Sequence, residues 1–374
     1  MSTYSITQRL PRAIGIGLFL CCCFFKTNAV MATPLSSDVI RWTVHQTLIG
    51  QTVYVLEVDP NQTKIVAVHA ENQLPGRQTL SQMAKSHGAI AGINGGFFRF
   101  NINQNGFPAG ILKIEDNWYG ISYQPRAAIG WSPGIPATID RIETKTTVVL
   151  NGYRVPIHRL NPSLTPNAQR GGLFSPVFGD TMLSMPPQQA ACLFTQDQVL
   201  QYFPASDEPQ IIPLSAHHYT YITPQSDLIK MACIPNTPAT LKVAVKSNSG
   251  SDWDTFAFIV GGAPLLIADH QIVRDYGVEK LSDDFVKQLH ARSAIGLLDN
   301  GHWVFVVADQ NLWNKDIGMT LPELARFMKK LGCKQALNLD GGISSGLYFQ
   351  DKLINQPWFE REIGDAILVI PTHP

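Results

Sequence analysis

The sequence lacks an excess of charge of either sign. Lysine plus arginine and aspartate plus glutamate each number 29, so no net field draws the chain to nucleic acid or to an anionic membrane. It is poor in charge altogether, at 16% of residues, while Gly (29) and Pro (25) are plentiful. That balance disfavours a helical bundle or a disordered chain and suits a loop-rich, β-containing globular enzyme. The 374 residues suffice for one large domain or two ordinary ones. No cysteine pair has metal-clip spacing, which argues against a structural zinc. Neither a dinucleotide fingerprint nor a P-loop follows any strand. Ser344 has no identifiable histidine partner, which argues against a serine hydrolase.

A comfortable membrane span is also missing. The N-terminal apolar run, Ala13 to Phe25, is short for one. Arg9 and Arg12 precede it and Thr27-Asn28-Ala29 follows with a small residue for cleavage. Residues 1–29 therefore read as a signal peptide, with a secreted or periplasmic mature chain and no stable span once it is removed; an uncleaved anchor is the alternative. Cys21, Cys22 and Cys23 would leave with it, and Cys192, Cys233 and Cys333 remain. One disulfide, Cys192 with Cys233 for instance, is compatible with an oxidising compartment.

What is present is mostly strand. Thr52 to Val58 and Thr63 to His69 alternate as strands around the turn Asp59-Pro60-Asn61. A short helix is expected over Leu80 to His87, then a strand over Ile90 to Asn94. Further strands are expected at Gly110 to Ile114, Ala127 to Trp131 and Thr146 to Leu150, the last turning at Asn151-Gly152. Residues about 161–236, rich in Pro, Gln, Ser and Thr, read as a loop-rich insertion. Strands resume at Ala239 to Val245 and Ala257 to Val260, and the hairpin Ala294 to Leu298 with Trp303 to Ala308 is the strongest. Thr320-Leu321-Pro322-Glu323 is a capping box that starts a helix. Leu324, Phe327, Met328 and Leu331 share its apolar face, and Gly332 ends it. Arg126-Ala127-Ala128-Ile129-Gly130 is echoed by Arg292-Ser293-Ala294-Ile295-Gly296, each opening a hairpin.

Two stretches share one grammar. Asn338-Leu339-Asp340-Gly341-Gly342 and Ile93-Asn94-Gly95-Gly96-Phe97 each end an apolar strand in a polar side chain and two glycines. Taken singly, each Gly-Gly can be a tight turn or bulge. Glycine pairs also let backbone approach a ligand, and their amides can form an anion-binding nest.

These two stretches, Gly261-Gly262-Ala263-Pro264-Leu265 and Ala291-Arg292-Ser293-Ala294-Ile295-Gly296 occur in the order found in the phosphodiester glycosidase family, which the chain resembles from about Thr52 to Ile370. The resemblance implies an α+β fold, a mixed or antiparallel β-sheet core with flanking helices. It also implies hydrolysis of the C1–O bond of a sugar whose leaving group is a phosphomonoester, in glycan or envelope material. Phosphate leaves readily, so such a site asks for charge stabilisation and one or two carboxylates near the anomeric carbon. In that light Arg292 is expected to grip phosphate with its planar fork, a salt bridge being its structural alternative. Asp340 is expected as acid, base or nucleophile, or else as a turn-forming aspartate. Asp309 is a second carboxylate or a support for Arg292. Gly341, Gly342, Ser344 and Ser345 would supply donors, Asn94 and Asn338 would bind sugar hydroxyls or phosphate, and Gly95 and Gly96 would admit the ring. His217-His218 reads as a surface pair. No cofactor is required; a divalent cation among Asp309, Asp340 and phosphate is chemically reasonable. The alternatives are a non-catalytic envelope protein that binds phosphorylated glycans, and a phosphodiesterase that breaks P–O.

Overall fold

The computed structural model describes residues 39–372, apart from 48–50, 102–103, 158, 164–171, 312–315 and 356–358. The expected signal peptide lies outside the described residues. Strands dominate, and every pairing between the strands is antiparallel. Four α-helices occur among the described residues, Leu80–Ser86, Asp227–Ala232, Asp283–Lys287 and Leu321–Lys330.

Three sheets position the site. The first runs in the order Ile40–Gln46, Thr52–Val58, Trp303–Ala308, Arg292–Leu297, Gln335–Asn338, Leu265–Ala268, Gln271–Ile272. Its central strands are apolar on both faces because both faces are covered. Trp303, Phe305 and Val307 face the main core, while Val304, Val306 and Ala308 meet the helix Leu321–Lys330 through Leu324 and Met328. Thr320 and Glu323 cap that helix reciprocally, as the sequence predicts. The second sheet holds Arg126–Ser132 between Ile135–Leu150 and Phe258–Gly261, with Leu112–Ile114 beyond. The third orders Lys352–Leu353, Leu347–Phe349, Ala91–Asn94, Asp365–Pro371 and Thr63–His69. Asp59-Pro60-Asn61 thus passes the chain from the first sheet to the third instead of closing a hairpin.

The expected loop-rich insertion is in fact built from strands. Gly172–Phe174, Tyr219–Pro224, Gln189–Phe194 and Val199–Phe203 form a four-stranded sheet, and Thr181–Met185 pairs with Gln210–Leu214. Its signal is weak because Gln189–Phe194 is buried at every position, which erases the alternation that marks a half-exposed strand. Cys192 and Cys233 are joined across it, with Cα atoms 5.8 Å apart, and Cys333 is a buried free thiol.

Candidate active site

Strand ends from all three sheets meet at one corner. Gly95 N donates to Asp365 O (2.9 Å) and Asp340 N to Gly95 O (3.2 Å), which stitches the third sheet to the first. Ala263 N donates to Asn338 O (2.9 Å) and Gly262 N to Ala127 O (2.8 Å), which adds the second. The distant glycine corners of the sequence therefore do converge.

Glycine is required at Asn94-Gly95-Gly96 by close approach. A Cβ on Gly95 would lie 1.8 Å from Asp365 Oδ1, and one on Gly96 would lie 2.6 Å from Gly261 O. The room left open is filled by a carboxylate: Asp365 Oδ1 accepts Gly96 N–H at 2.8 Å. Asp365 is 3% exposed. Burial, and then the neighbouring Asp340 charge, push its acid up to about 7. Asp340 is itself raised to about 6, by burial, against hydrogen bonds from Ser344 and Gly341 and the charge of Arg361. Burial thus raises both acids toward neutrality, and the charge of Asp340 raises Asp365 further.

Asp365 is the second carboxylate that sequence reasoning missed. Gly364-Asp365 opens an apolar run, Ala366-Ile367-Leu368-Val369, whose residues are all buried, a pattern that any aspartate at a strand start can share. The expected second carboxylate, Asp309, adjoins Ala308, the residue that pairs with Arg292 in the first sheet. It follows the strand Trp303–Ala308, two strands removed from Gln335–Asn338 in the first sheet, and its Oδ1 accepts Gln310 N–H.

The other expected residues are placed as follows. Asn94 is buried, donating to Asp340 O (2.8 Å) and accepting from Ser293 Oγ (2.7 Å) and Gly346 N (3.1 Å). Asn338 is also buried, donating to Ala263 O and Leu339 O, both at 2.7 Å. Both side chains bind strand ends to one another. Gly341 N is engaged by Asp340 Oδ1 (2.9 Å) and Gly342 N by Ala291 O (2.8 Å), so the expected nest of amides is spent within the chain. Gly342-Ile343-Ser344-Ser345-Gly346 spells a nucleophile-elbow pattern. Its serine, however, meets Asp340 and Arg361 Nη1 (3.4 Å) and no histidine.

Arg292 is 2% exposed. Its guanidinium donates to Met319 O (2.9 Å), Phe285 O (3.0 Å) and Gln288 O (2.8 Å), and packs 5.2 Å from the Phe285 ring centroid. Burial lowers its pKa to about 10, which leaves it cationic at neutral pH. The arginine therefore clamps the helix Asp283–Lys287 against the first sheet. A cavity of about 270 Å3 opens beside the corner, walled by Gly96, Phe97, Gly262 and Phe285, with Asp365 and Arg126 as its charged lining. Phe97 and Phe285 meet edge to face at 5.9 Å. Arg126, the echo of Arg292, reaches this cavity while also donating to Glu279 O. Among the described residues no three of His, Cys, Asp and Glu gather to hold a metal ion, and no helix is long and apolar enough to cross a membrane. His217 is exposed and His218 half-buried.

Residues 214–370 match the family model of phosphodiester glycosidases, a span that includes Gly261-Gly262, Arg292, Asp340 and Asp365 but not Asn94-Gly95-Gly96. A hypothetical protein from Synechocystis shares the fold with a TM-score of 0.72 at 24% identity, over 89% of this chain and 62% of its own length. The chain thus spans less than two thirds of that relative. A protein of Burkholderia pseudomallei described as exported gives a TM-score of 0.68 at 18% identity, over 88% of this chain and 74% of the other. No curated protein sequence matches.

Proposed function

We propose that the chain is a hydrolase that cleaves the C1–O bond of a glycosyl phosphodiester at the Asp340–Asp365 corner. The observation that carries this reading is a corner made by three sheets in which two buried carboxyl groups are both raised toward neutrality. Asp340 takes the ionised role, because Ser344, Gly341 N–H and Arg361 all favour its charged form. Asp365, the group raised further, keeps its proton and delivers it to the departing phosphate oxygen. Water adds at the anomeric carbon and its proton passes to Asp340. Arg126, which shares the cavity with Asp365, is assigned to the phosphate charge. Arg292 is assigned a positioning role, holding the Phe285 wall. Asp309 and the buried amides of Asn94 and Asn338 are assigned support of the strand ends.

Export from the cytoplasm belongs to the same proposal. The Cys192–Cys233 disulfide suits an oxidising compartment, and the Burkholderia protein of the same fold is described as exported.

The test is turnover of a panel of methyl α-glycosyl phosphodiesters by the purified protein, run in isotopically labelled water. Sugar release with label in the sugar is expected, and loss of about 10²–10⁴-fold in Asp340→Asn and Asp365→Asn with unchanged circular dichroism. Label in the phosphate would mean P–O cleavage. Saturable binding without turnover would make the protein a phosphoglycan binder.

A further inference from the structure

A second cavity, of about 230 Å3, lies beyond the strip Pro108-Ala109-Gly110, which lines it and the Asp365 cavity alike. The two differ in charge. The Asp365 cavity is lined by one arginine and one aspartate. The second is lined by two arginines, Arg99 and Arg159, and by no carboxylate. Both arginine side chains are exposed. Among the described residues neither forms an ion pair, and Arg99 Nη1 is held by Gln104 Oε1 at 3.0 Å. In a chain of zero net charge, that is a local excess of positive charge, and a concave one, which focuses its field.

The floor beneath the arginines is fixed in advance. Asn161 is buried there with positive φ; it donates to Trp118 O and Tyr119 O, both at 3.1 Å, and accepts Ser175 N–H at 2.9 Å. Tyr119 stacks on His69 at 4.9 Å and donates its hydroxyl to Asn72 O. Glu115, whose charge acts on Tyr119, does not itself line the cavity. Planar guanidinium forks over a rigid polar floor suit a phosphate oxygen pair.

We infer that the second cavity is a subsite for a further phosphate on the leaving-group side of the scissile bond. This rests on the function proposed above. The Asp365 cavity is at the small end for ligand pockets and takes one sugar ring. The Pro108–Gly110 strip that the two cavities share gives the rest of the substrate a path from one to the other, toward Arg99 and Arg159. The substrate class is then a chain with repeated phosphodiesters instead of a single sugar phosphate.

The experiment is calorimetric binding of diglyceryl phosphate and, separately, of inorganic phosphate to the full chain, to Arg99→Ser/Arg159→Ser and to Asp365→Asn. Saturable, salt-sensitive binding of the diester is expected, weakened about tenfold or more in the double arginine variant and retained in Asp365→Asn. Diester binding that is absent, or equal in wild type and double variant, overturns the subsite. Binding of inorganic phosphate alone also overturns it, as a site for free phosphate. If glycosyl phosphodiesters are not hydrolysed while arginine-dependent diester binding persists, the catalytic reading fails and the cavity stands as a phosphodiester-binding site alone.

Discussion

Glu279 and Asp365 are both buried carboxyl groups, exposed by 0% and 3%, and the fold handles them in opposite ways. Glu279 is met by Arg141 Nε at 2.9 Å, Leu265 N–H at 2.9 Å and Ala127 N–H at 3.0 Å. Its charge is neutralised and its oxygens are filled, so it fastens three segments together. Asp365 receives one amide, from Gly96, and the charge that shifts it is that of another acid, Asp340. A fold able to neutralise a buried carboxylate in one place leaves a second pair of acids at odds in another. That contrast marks the second place as the one where protons move.

The contrast can be broken from either side. The largest effect is expected for Asp365→Asn, which should lower turnover by about 10²–10⁴-fold while the protein becomes more stable above pH 7. Next is Glu279→Ala, which leaves Arg141 without its carboxylate partner. Urea unfolding should show a loss of about 3–5 kcal/mol, with normal turnover per folded molecule. Gly95→Ala drives a methyl onto Asp365 Oδ1 and should reproduce most of the activity loss of Asp365→Asn, with about 1–3 kcal/mol of destabilisation from overpacking. Arg292→Met frees three carbonyls and loosens the Phe285 wall. It should cost about 1–3 kcal/mol in stability and raise KM more than it lowers kcat.

The smallest effect is on the pH dependence of stability. Asp365 and Asp340 are raised to about 7 and about 6, so folding favours their protonated forms. The penalty is absent below the ordinary aspartate value near pH 4, grows as pH rises and is complete above about 7. Denaturant midpoints should fall across that window in the wild type and fall less in Asp365→Asn. A midpoint that rises instead would show that the pair is ionised without cost.

Much of this was legible in the sequence for local reasons. The strands Thr52–Val58 and Thr63–His69 and the capping box at Thr320 are set by side-chain alternation and by contacts three residues apart, and the structure has them. Asp340 was legible because its glycines follow it directly. Asp365 was not, since its partner Gly96 is 269 residues away and nothing local distinguishes it from any aspartate that opens a strand. Arg292 shows the converse. Its position at a strand start invited a ligand role, but the carbonyls that occupy it, from Phe285, Gln288 and Met319, belong to a helix and a loop whose docking only the fold reveals. The insertion's sheet was hidden for a third reason: strands covered on both faces carry no alternation.

The central claim is that burial beside Asp340 keeps the Asp365 carboxyl protonated near neutrality, and infrared titration of the carboxyl C=O band measures this directly. In the wild type a protonated carboxyl should persist at pH 6 and disappear with an apparent midpoint of about 7, and in Asp365→Asn only the Asp340 band should remain, disappearing around pH 6. Complete ionisation of every carboxyl by about pH 5, or a band unchanged in the variant, would contradict the account.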